Sequence, residues 1–122
     1  MENFIIRKVY TGYKFDLYAA NGQEIATSEV YETMAACRKG IESVRKNAPN
    51  AKLEIQWAAD RKEQTNPKFE AYRDKSGEYR FRLRSRNGKI IAVSDGYSAK
   101  NACLSGIESV IRNAPDAVTE TI

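Results

Sequence analysis

The sequence predicts an α+β fold built from two tandem repeats, each made of three strands, one helix and a fourth strand. The main observation is an internal duplication. Residues 13–51 align without a gap on residues 79–117, and 20 of the 39 aligned positions are identical. Each copy also changes from alternating apolar and polar residues, typical of a strand, to an apolar residue every three or four positions, typical of a helix. Such a duplication indicates two structural units of one design.

The length of the chain favours one domain that contains both repeats. A chain of 122 residues is within the usual size of a single domain. Two separate domains of about 60 residues would each be only marginally stable. We therefore predict a single domain over residues 1–122, with repeat 1 in 1–57, a linker in 58–67 and repeat 2 in 68–122. Because the two repeats form an internal pair, we expect a monomer.

The composition restricts the chemistry that this chain can perform. With 42% hydrophobic and 30% charged residues, a net charge of +4 and no histidine, it lacks the commonest general acid–base and the commonest metal ligand. Paired carboxylates, phosphate-binding glycine loops and nucleophile motifs are absent too. We predict no enzyme activity, no cofactor and no metal. The sequence has no long apolar run and no signal-peptide pattern, so we expect a cytoplasmic protein with no membrane partner.

The first repeat begins with alternating segments that predict strands over residues 4–8 and 13–18. Asn21-Gly22 predicts a hairpin turn to a third strand. A two-residue turn would place Ile25 on the polar face of the hairpin, whereas a three-residue turn with a left-handed glycine pairs Leu17 with Ile25. We prefer the second register because it keeps the apolar residues together.

Residues 33–47 have the spacing of a helix that packs one apolar face on the sheet. The predicted buried positions are Thr33, Ala36, Cys37, Gly40, Ile41 and Val44. Asn47 suits a left-handed cap at the end of the helix, and Pro49 stops the helix from continuing. A fourth strand is predicted over residues 52–57, whose alternation places three apolar residues on one face: Leu53, Ile55 and Trp57.

The second repeat follows the same order. Its strands are predicted over residues 69–73, 79–86, 89–95 and 117–122, with a hairpin turn at Asn87-Gly88. Ser98 is a good N-cap for the helix, which ends at Asn113-Ala-Pro115. The predicted buried positions of this helix are Ala99, Ala102, Cys103, Gly106, Ile107 and Val110.

These residues resemble the YegP-like family of small, mostly bacterial proteins, whose domain of unknown function usually occurs as a tandem pair. The motifs that carry the resemblance are Phe69, Gly77-Glu-Tyr-Arg-Phe-Arg-Leu83, Asn87-Gly88, Ile91-Ala92, Ser94, Gly96-Tyr-Ser98, Ala102-Cys103, Gly106-Ile107 and Arg112-Asn-Ala-Pro115. The first copy departs from them at Val30-Tyr-Glu32. The resemblance implies one antiparallel sheet with exchanged C-terminal strands, and we place both helices on one face of it. It implies no established activity and no catalytic or ligand residues.

One predicted strand carries an arginine at every second position: Arg80, Arg82, Arg84 and Arg86. Their side chains would lie on one face at a spacing of about 6.8 Å. With Tyr72 on the neighbouring strand, they would form a charged track with a stacking surface for a single-stranded nucleic acid. Alternatively, the arginines pair with Glu70 and Asp74 across the strands. We favour this structural explanation, because the equivalent positions of repeat 1 do not continue the track.

Packing explains the cysteines and the helical glycines most simply. Cys37 and Cys103 occupy the same position on the apolar faces of the two helices, where a thiol acts as a small hydrophobic group. Gly40 and Gly106 lie in the middle of the helices, where glycine costs about 1 kcal/mol relative to alanine. We expect a close approach of helix and sheet to require them.

Leu104 and Ile111 lie beside the buried face of the second helix, where the first helix has arginines. They either widen the core contact or form an exposed apolar strip for a protein partner, and both interpretations stay open.

We predict a non-catalytic small binding or structural module with an unidentified ligand. The alternative is weak nucleic-acid binding through the arginine face. A protein partner and a nucleic acid are both compatible with the sequence.

Overall fold

The alternating segments of the sequence form one eight-stranded sheet in the structure, a computed structural model that describes residues 1–122. The strands are β1 (Asn3–Val9), β2 (Gly12–Tyr18), β3 (Glu24–Thr27), β4 (Lys52–Ile55), β5 (Lys68–Arg73), β6 (Tyr79–Arg84), β7 (Ile90–Val93) and β8 (Val118–Thr121). The helices are α1 (Met34–Asn47) and α2 (Lys100–Asn113). Neither helix is long and apolar enough to cross a membrane.

The strands follow the order β4-β5-β6-β7-β3-β2-β1-β8 across the sheet, so each repeat gives its last strand to the other repeat. β4 pairs with β5, and β8 pairs with β1. Both of these pairs are parallel, while all the other pairs are antiparallel. The prediction of an antiparallel sheet is therefore wrong for the two edge strands. Adjacent parallel strands need a crossover instead of a hairpin turn, and residues 56–67 supply one between β4 and β5.

Both helices pack on the same face of the sheet and share one core with it. The core contains aromatic rings from four strands, namely Phe4, Phe15, Phe69 and Phe81. α1 contacts β2 and β7, while α2 contacts β6 and β3. Each helix therefore packs across the boundary between the repeats, which couples the two repeats.

The buried faces of the helices are narrower than the sequence predicts. Cys37, Ile41 and Val44 of α1 are buried, as are their equivalents in α2, but Thr33, Ala99 and Ala102 are exposed and Ala36 is only half-buried. Thr33 and Ala99 are exposed because both helices begin one residue later than predicted, which leaves these two residues as the N-caps. The hydroxyl of Thr33 caps α1 by accepting a hydrogen bond from the Ala36 N–H at 3.0 Å.

Two predicted helix caps are wrong. The N-cap of α2 is Ala99 instead of Ser98, and its side chain makes no capping hydrogen bond. Asn47 is the last residue of α1 in a right-handed conformation, because the chain continues directly into a 3-10 turn over Ala48–Asn50. The Asn47 side-chain amide instead donates to the backbone oxygen of Ser43 at 2.8 Å.

The hairpin turn has the predicted type, but the register beyond it is shifted by one residue. The Ala19 N–H donates to the Gln23 oxygen at 2.9 Å around a left-handed Gly22, which confirms the three-residue turn. A bulge then places Ala26, not Ile25, opposite Leu17. The bulge allows Ile25 and Ala26 both to be buried. The hairpin of repeat 2 has the same bulge.

The edge strands are shorter than predicted. β4 ends at Ile55, so Trp57 lies beyond the strand, where its ring packs edge-on against Tyr79 with centroids 5.1 Å apart. Leu53 of β4 is 43% exposed and Val118 of β8 is 49% exposed. Both edges of the sheet therefore present an apolar side chain to solvent.

Candidate functional site

Three of the four predicted nucleic-acid-binding arginines lie on the sheet face opposite the helices. Arg82 and Arg84 alternate with the buried residues of β6, and their Nε atoms donate to one carboxylate oxygen of Glu70 at 2.5 and 2.7 Å. Burial would raise the pKa of Glu70, but the hydrogen bonds from Arg82 and Arg84 outweigh it and hold that pKa below its ordinary value. Glu70 is therefore ionised and serves both arginines.

The remaining components of the predicted track are also occupied. Arg80 donates from Nε to Asp74 at 2.6 Å, and this hydrogen bond is the main reason why the pKa of Asp74 lies well below its ordinary value. The guanidinium of Arg82 lies over the ring of Tyr72, 4.5 Å from its centroid. Tyr72 thus stacks on an arginine of the same molecule.

Arg86 does not continue the row, which corrects the prediction of four arginines on one face. The bulge shifts the pairing after Leu83, and β6 ends at Arg84. Arg86 lies in the following turn and borders a groove beside Lys46 and Asn47 of α1. It is therefore on the helix side of the sheet edge.

The sequence did not reveal a buried ion-pair network on the same sheet face. Lys68 donates to Glu54 at 2.8 Å and lies 3.3 Å from Glu70, and all three side chains are less than a tenth exposed. Burial would raise the pKa of Glu54, but hydrogen bonds from Lys68, Gln56 and Gln64 lower it to about 2. The network joins β4 of repeat 1 to β5 of repeat 2 and so secures the exchanged strand.

Leu104 and Ile111, the predicted partner surface, are half-buried and pack against the core. This placement favours a wider core contact over an exposed strip. Cys37 and Cys103 are fully buried, and burial raises the pKa of the Cys103 thiol to about 11. No cluster of three or more histidine, cysteine or acidic side chains comes together in the way that a metal site requires.

Two grooves of the same construction lie on the helix side of the molecule, each between a helix of one repeat and a hairpin turn of the other. The α2 groove, between α2 and residues 19–25, has a volume of about 440 Å³. The α1 groove, between α1 and residues 85–91, extends to Asn66-Pro67 in three adjoining sections of about 270 to 320 Å³ each. The internal duplication relates the two grooves residue by residue.

The two grooves differ mainly in charge. The α1 groove is bordered by four cations, Lys39, Lys46, Arg86 and Lys89. At the equivalent positions, 66 residues away, the α2 groove has Ser105, Arg112, Ala20 and Gln23. Three positive charges of the α1 groove are therefore absent from its counterpart.

The cations of the α1 groove are largely free of carboxylate partners. Lys39, Lys46 and Arg86 form no ion pair, and Lys89 is 3.8 Å from Glu29 in a pair that is more than half exposed. Glu42 is the one carboxylate that borders the groove, and it pairs with Arg45. The groove is thus a site of positive potential, whereas on the arginine face Asp74 and Glu70 offset part of the charge of the three arginines.

Sequence reasoning missed the α1 groove because its walls come from α1, the linker and the second hairpin. A signal was nevertheless present in the duplication. Comparison of the two copies shows that Lys39, Arg86 and Lys89 are charged in one copy and neutral in the other, on a background of many identical neighbours.

The family model for a domain of unknown function, DUF1508, matches this chain twice, over residues 11–54 and 74–120. The chain belongs to this family. The two DUF1508 matches coincide with the two repeats of the structure, and they confirm the resemblance to YegP-like proteins.

Several relatives of this DUF1508 protein are bacterial proteins described only as UPF0339 proteins. One from Pseudomonas aeruginosa is 33% identical over 115 residues, which cover 93% of this chain and 91% of the relative. One from Photorhabdus laumondii is 39% identical over 101 residues, which cover 83% of this chain and 75% of the relative. A protein from Treponema denticola is 62% identical over 50 residues, which are 86% of its length and 41% of this chain, so it is about one repeat long.

Solved structures show the same fold. The E. coli protein of unknown function yegP covers 98% of this chain and 91% of its own, with a TM-score of 0.79 and 28% identity. UPF0339 protein SO3888 from Shewanella oneidensis covers 98% and 90%, with a TM-score of 0.78 and 29% identity. The descriptions of these DUF1508 relatives state no ligand and no reaction.

Proposed function

We propose that this protein is a non-catalytic binding module that holds an anionic ligand in the α1 groove. The observation that carries the proposal is the contrast between the two sets of cations. Lys39, Lys46 and Arg86 around the groove have no carboxylate partner, whereas Arg80, Arg82 and Arg84 on the strand face each have one within 2.7 Å. Cations that are not neutralised by their own chain attract anions to a concave surface.

The internal duplication supports the same conclusion. Lys39, Arg86 and Lys89 are exposed, and Lys89 also lies over the ring of Tyr31, with its Nζ 5.6 Å from the ring centroid. The α2 groove supports the same backbone with Ser105, Ala20 and Gln23 at these positions. The charges of the α1 groove are therefore not required by the backbone design that the two repeats share.

Nucleic-acid binding through the arginine face, the alternative, has less support. A phosphate there would compete with the buried Glu70 carboxylate, which already accepts a hydrogen bond from the Nε of both Arg82 and Arg84. The proposal keeps the cytoplasmic location and the absence of catalysis that the sequence predicts.

Titration with inorganic tripolyphosphate, monitored by amide chemical shifts, tests the proposal. We expect shifts at residues along the α1 groove and an affinity that falls at least about tenfold in the variant K39S/R86A/K89Q, which carries the residues of the α2 groove. The control K8Q/K62Q/K75Q has the same net charge and changes exposed lysines outside both grooves. Equal weakening in both variants, or shifts centred on β6, would contradict the proposal.

A further inference from the structure

We propose that the ligand of the α1 groove is a single-stranded nucleic acid, an inference that rests on the function proposed above. The first argument is the length of the groove. Lys39 and Lys46 are two helical turns apart, about 10 Å along the axis of α1. The groove continues past them to Asn50 and Asn66. A single phosphate group would occupy only one end of this groove. A strand with several phosphates can contact all four cations of the groove.

The second argument is the kind of polar groups between the cations. Four side-chain carboxamides border the groove: Asn47, Asn50, Asn66 and Asn87. Asn47 and Asn50 donate to Ser43 and Lys46, and the Asn87 oxygen accepts from the Ser85 hydroxyl and the Lys89 N–H. The amide nitrogens of Asn66 and Asn87 donate no hydrogen bond within the protein. A carboxamide both donates and accepts, which matches the edges of nucleobases, and these edges are accessible in single strands. Inorganic phosphate can use only the N–H donors of these groups, because its oxygens at neutral pH mainly accept hydrogen bonds.

The third argument is the change in polarity along the groove. Tyr31, Ala36 and Ile91 line its end beside the start of α1, where Tyr31 and Ile91 are less than a tenth exposed and the Lys89 ammonium lies over the Tyr31 ring, 5.6 Å from its centroid. The remaining sections have no aliphatic or aromatic wall except Pro67. The small apolar area that remains accessible there can contact one unstacked base while the cations hold the adjoining backbone. This combination of base contact and backbone contact distinguishes a nucleic acid from other polyanions.

The walls of the groove select a single strand over a duplex. α1 forms one wall, and the turn at Gly88 forms the other together with Asn66. Gly88 and Asn66 lie close together, since a Cβ atom at position 88 would be 3.2 Å from the side-chain nitrogen of Asn66. A flexible strand can follow a groove bounded on both sides. The Watson–Crick edges of a duplex are paired, so only a single strand can present them to the carboxamides that border the groove.

Fluorescence anisotropy with labelled dT12 at several salt concentrations tests this inference on the full chain. Four phosphate contacts predict a salt slope of about −2.8, so the affinity should weaken about 50-fold between 50 and 200 mM salt. K39S/R86A/K89Q keeps one groove cation, and its affinity should weaken only about threefold over the same range. K8Q/K62Q/K75Q and R82Q/R84Q should keep the wild-type slope.

A transplant variant provides a second test that does not depend on loss of binding. K39S/R86A/K89Q combined with A20R/Q23K/S105K has the wild-type net charge and moves the three cations to the α2 groove, where all the changed positions are exposed. We expect it to regain the salt dependence, with the contact site shifted to α2. Failure to regain any affinity for dT12 would overturn the role of these cations.

The outcomes separate this inference from the proposed function. Binding of tripolyphosphate in the α1 groove without binding of dT12 would overturn the nucleic-acid inference and leave the anion-binding module in place. Absence of both would overturn both. Binding of a 12-base-pair duplex as tightly as dT12, or a salt slope that is unchanged in K39S/R86A/K89Q, would also overturn the inference.

Discussion

The glycine in the middle of each helix is required by a tyrosine that lies between the helix and the sheet. Tyr97 stacks on Phe81 with ring centroids 6.4 Å apart, and Tyr31 stacks on Phe15 in the same way at 6.2 Å. A methyl group at Gly106 would lie 2.5 Å from the Tyr97 hydroxyl oxygen, and one at Gly40 would collide with the hydroxyl of Tyr31. The close approach predicted from the glycines is therefore confirmed, and the group approached is a tyrosine ring.

We expect G106A to lower the free energy of unfolding by about 1 kcal/mol. The clash with Tyr97 costs about 1 to 3 kcal/mol, and it outweighs the gain of about 1 kcal/mol from replacing glycine in a helix. Urea denaturation measures the effect, and S105A at the exposed neighbouring position is the control, expected to be neutral or slightly stabilising. In Y97F/G106A the hydroxyl is gone and most of the loss should be recovered; no recovery would show that the tyrosine is not the obstacle.

The edge strand β4 is held to the other repeat by buried charges, and β8 is held by a much weaker equivalent. Glu54 pairs with Lys68 at 2.8 Å in the buried network, while at the matching position Glu120 accepts from the Asn3 side chain at 2.8 Å on the surface. Removal of one partner from a buried pair leaves the other desolvated, whereas an exposed pair has water as a substitute. The two edges of the sheet therefore differ in how they depend on charge.

We expect E54Q to lower the free energy of unfolding by about 2 to 3 kcal/mol at pH 7, because Lys68 keeps only Glu70 as a partner. The pKa of Glu54 is about 2 in the folded protein and 4.5 ordinarily, so the ionised carboxylate stabilises the fold fully above pH 4.5. This stabilisation is lost as the pH falls through 2. The difference between wild type and E54Q should consequently shrink between pH 4.5 and 2.

Urea denaturation across this pH range checks the expectation, with E120Q as the matched control. E120Q should differ from the wild type by no more than about 0.5 kcal/mol at any pH. A difference between wild type and E54Q that stayed constant down to pH 2 would mean that Glu54 is not held ionised by Lys68.

The two repeats complete each other through exchange at the scale of the whole molecule. β4 leaves repeat 1 to pair with β5, β8 leaves repeat 2 to pair with β1, and each helix packs on a strand of the other repeat. A repeat without its partner would expose the free edge of β1 or β5 together with Leu53 or Val118. This dependence is the physical reason why we predict a single domain over residues 1–122.

We expect a fragment of residues 1–67 either to be unfolded or to dimerise. In the dimer, β4 of each copy would pair with β1 of the other copy, as β8 does in the intact chain. Sedimentation analysis and circular dichroism across a range of concentrations would distinguish these states, with the full chain as a control that we expect to be monomeric. A folded monomer of residues 1–67 would refute the single-domain prediction.

The duplication, the number and type of the elements and most of the buried residues could be predicted from the sequence. Alternation in β2 and the spacing of Cys37, Ile41 and Val44 are local patterns. They identify the core face because the period of a strand, two residues, differs clearly from that of a helix, about 3.6 residues. The ends of elements were less predictable. Asn47 does not adopt the predicted left-handed conformation, and the bulge at Ile25 shifts the register of the hairpin. Both features depend on what the following segment of the chain contacts.

Only the tertiary structure decided which charges are neutralised and which are free to bind. Arg82 and Arg86 appeared equivalent in the sequence, but one pairs with Glu70 across the sheet and the other borders the α1 groove without a partner. Lys68 and Lys39 are both lysines, yet one is buried between two carboxylates because the crossover brings Glu54 to it, while the other faces a hairpin of the second repeat. Ion pairs and grooves form between segments far apart in the chain, so periodicity within one segment does not contain them.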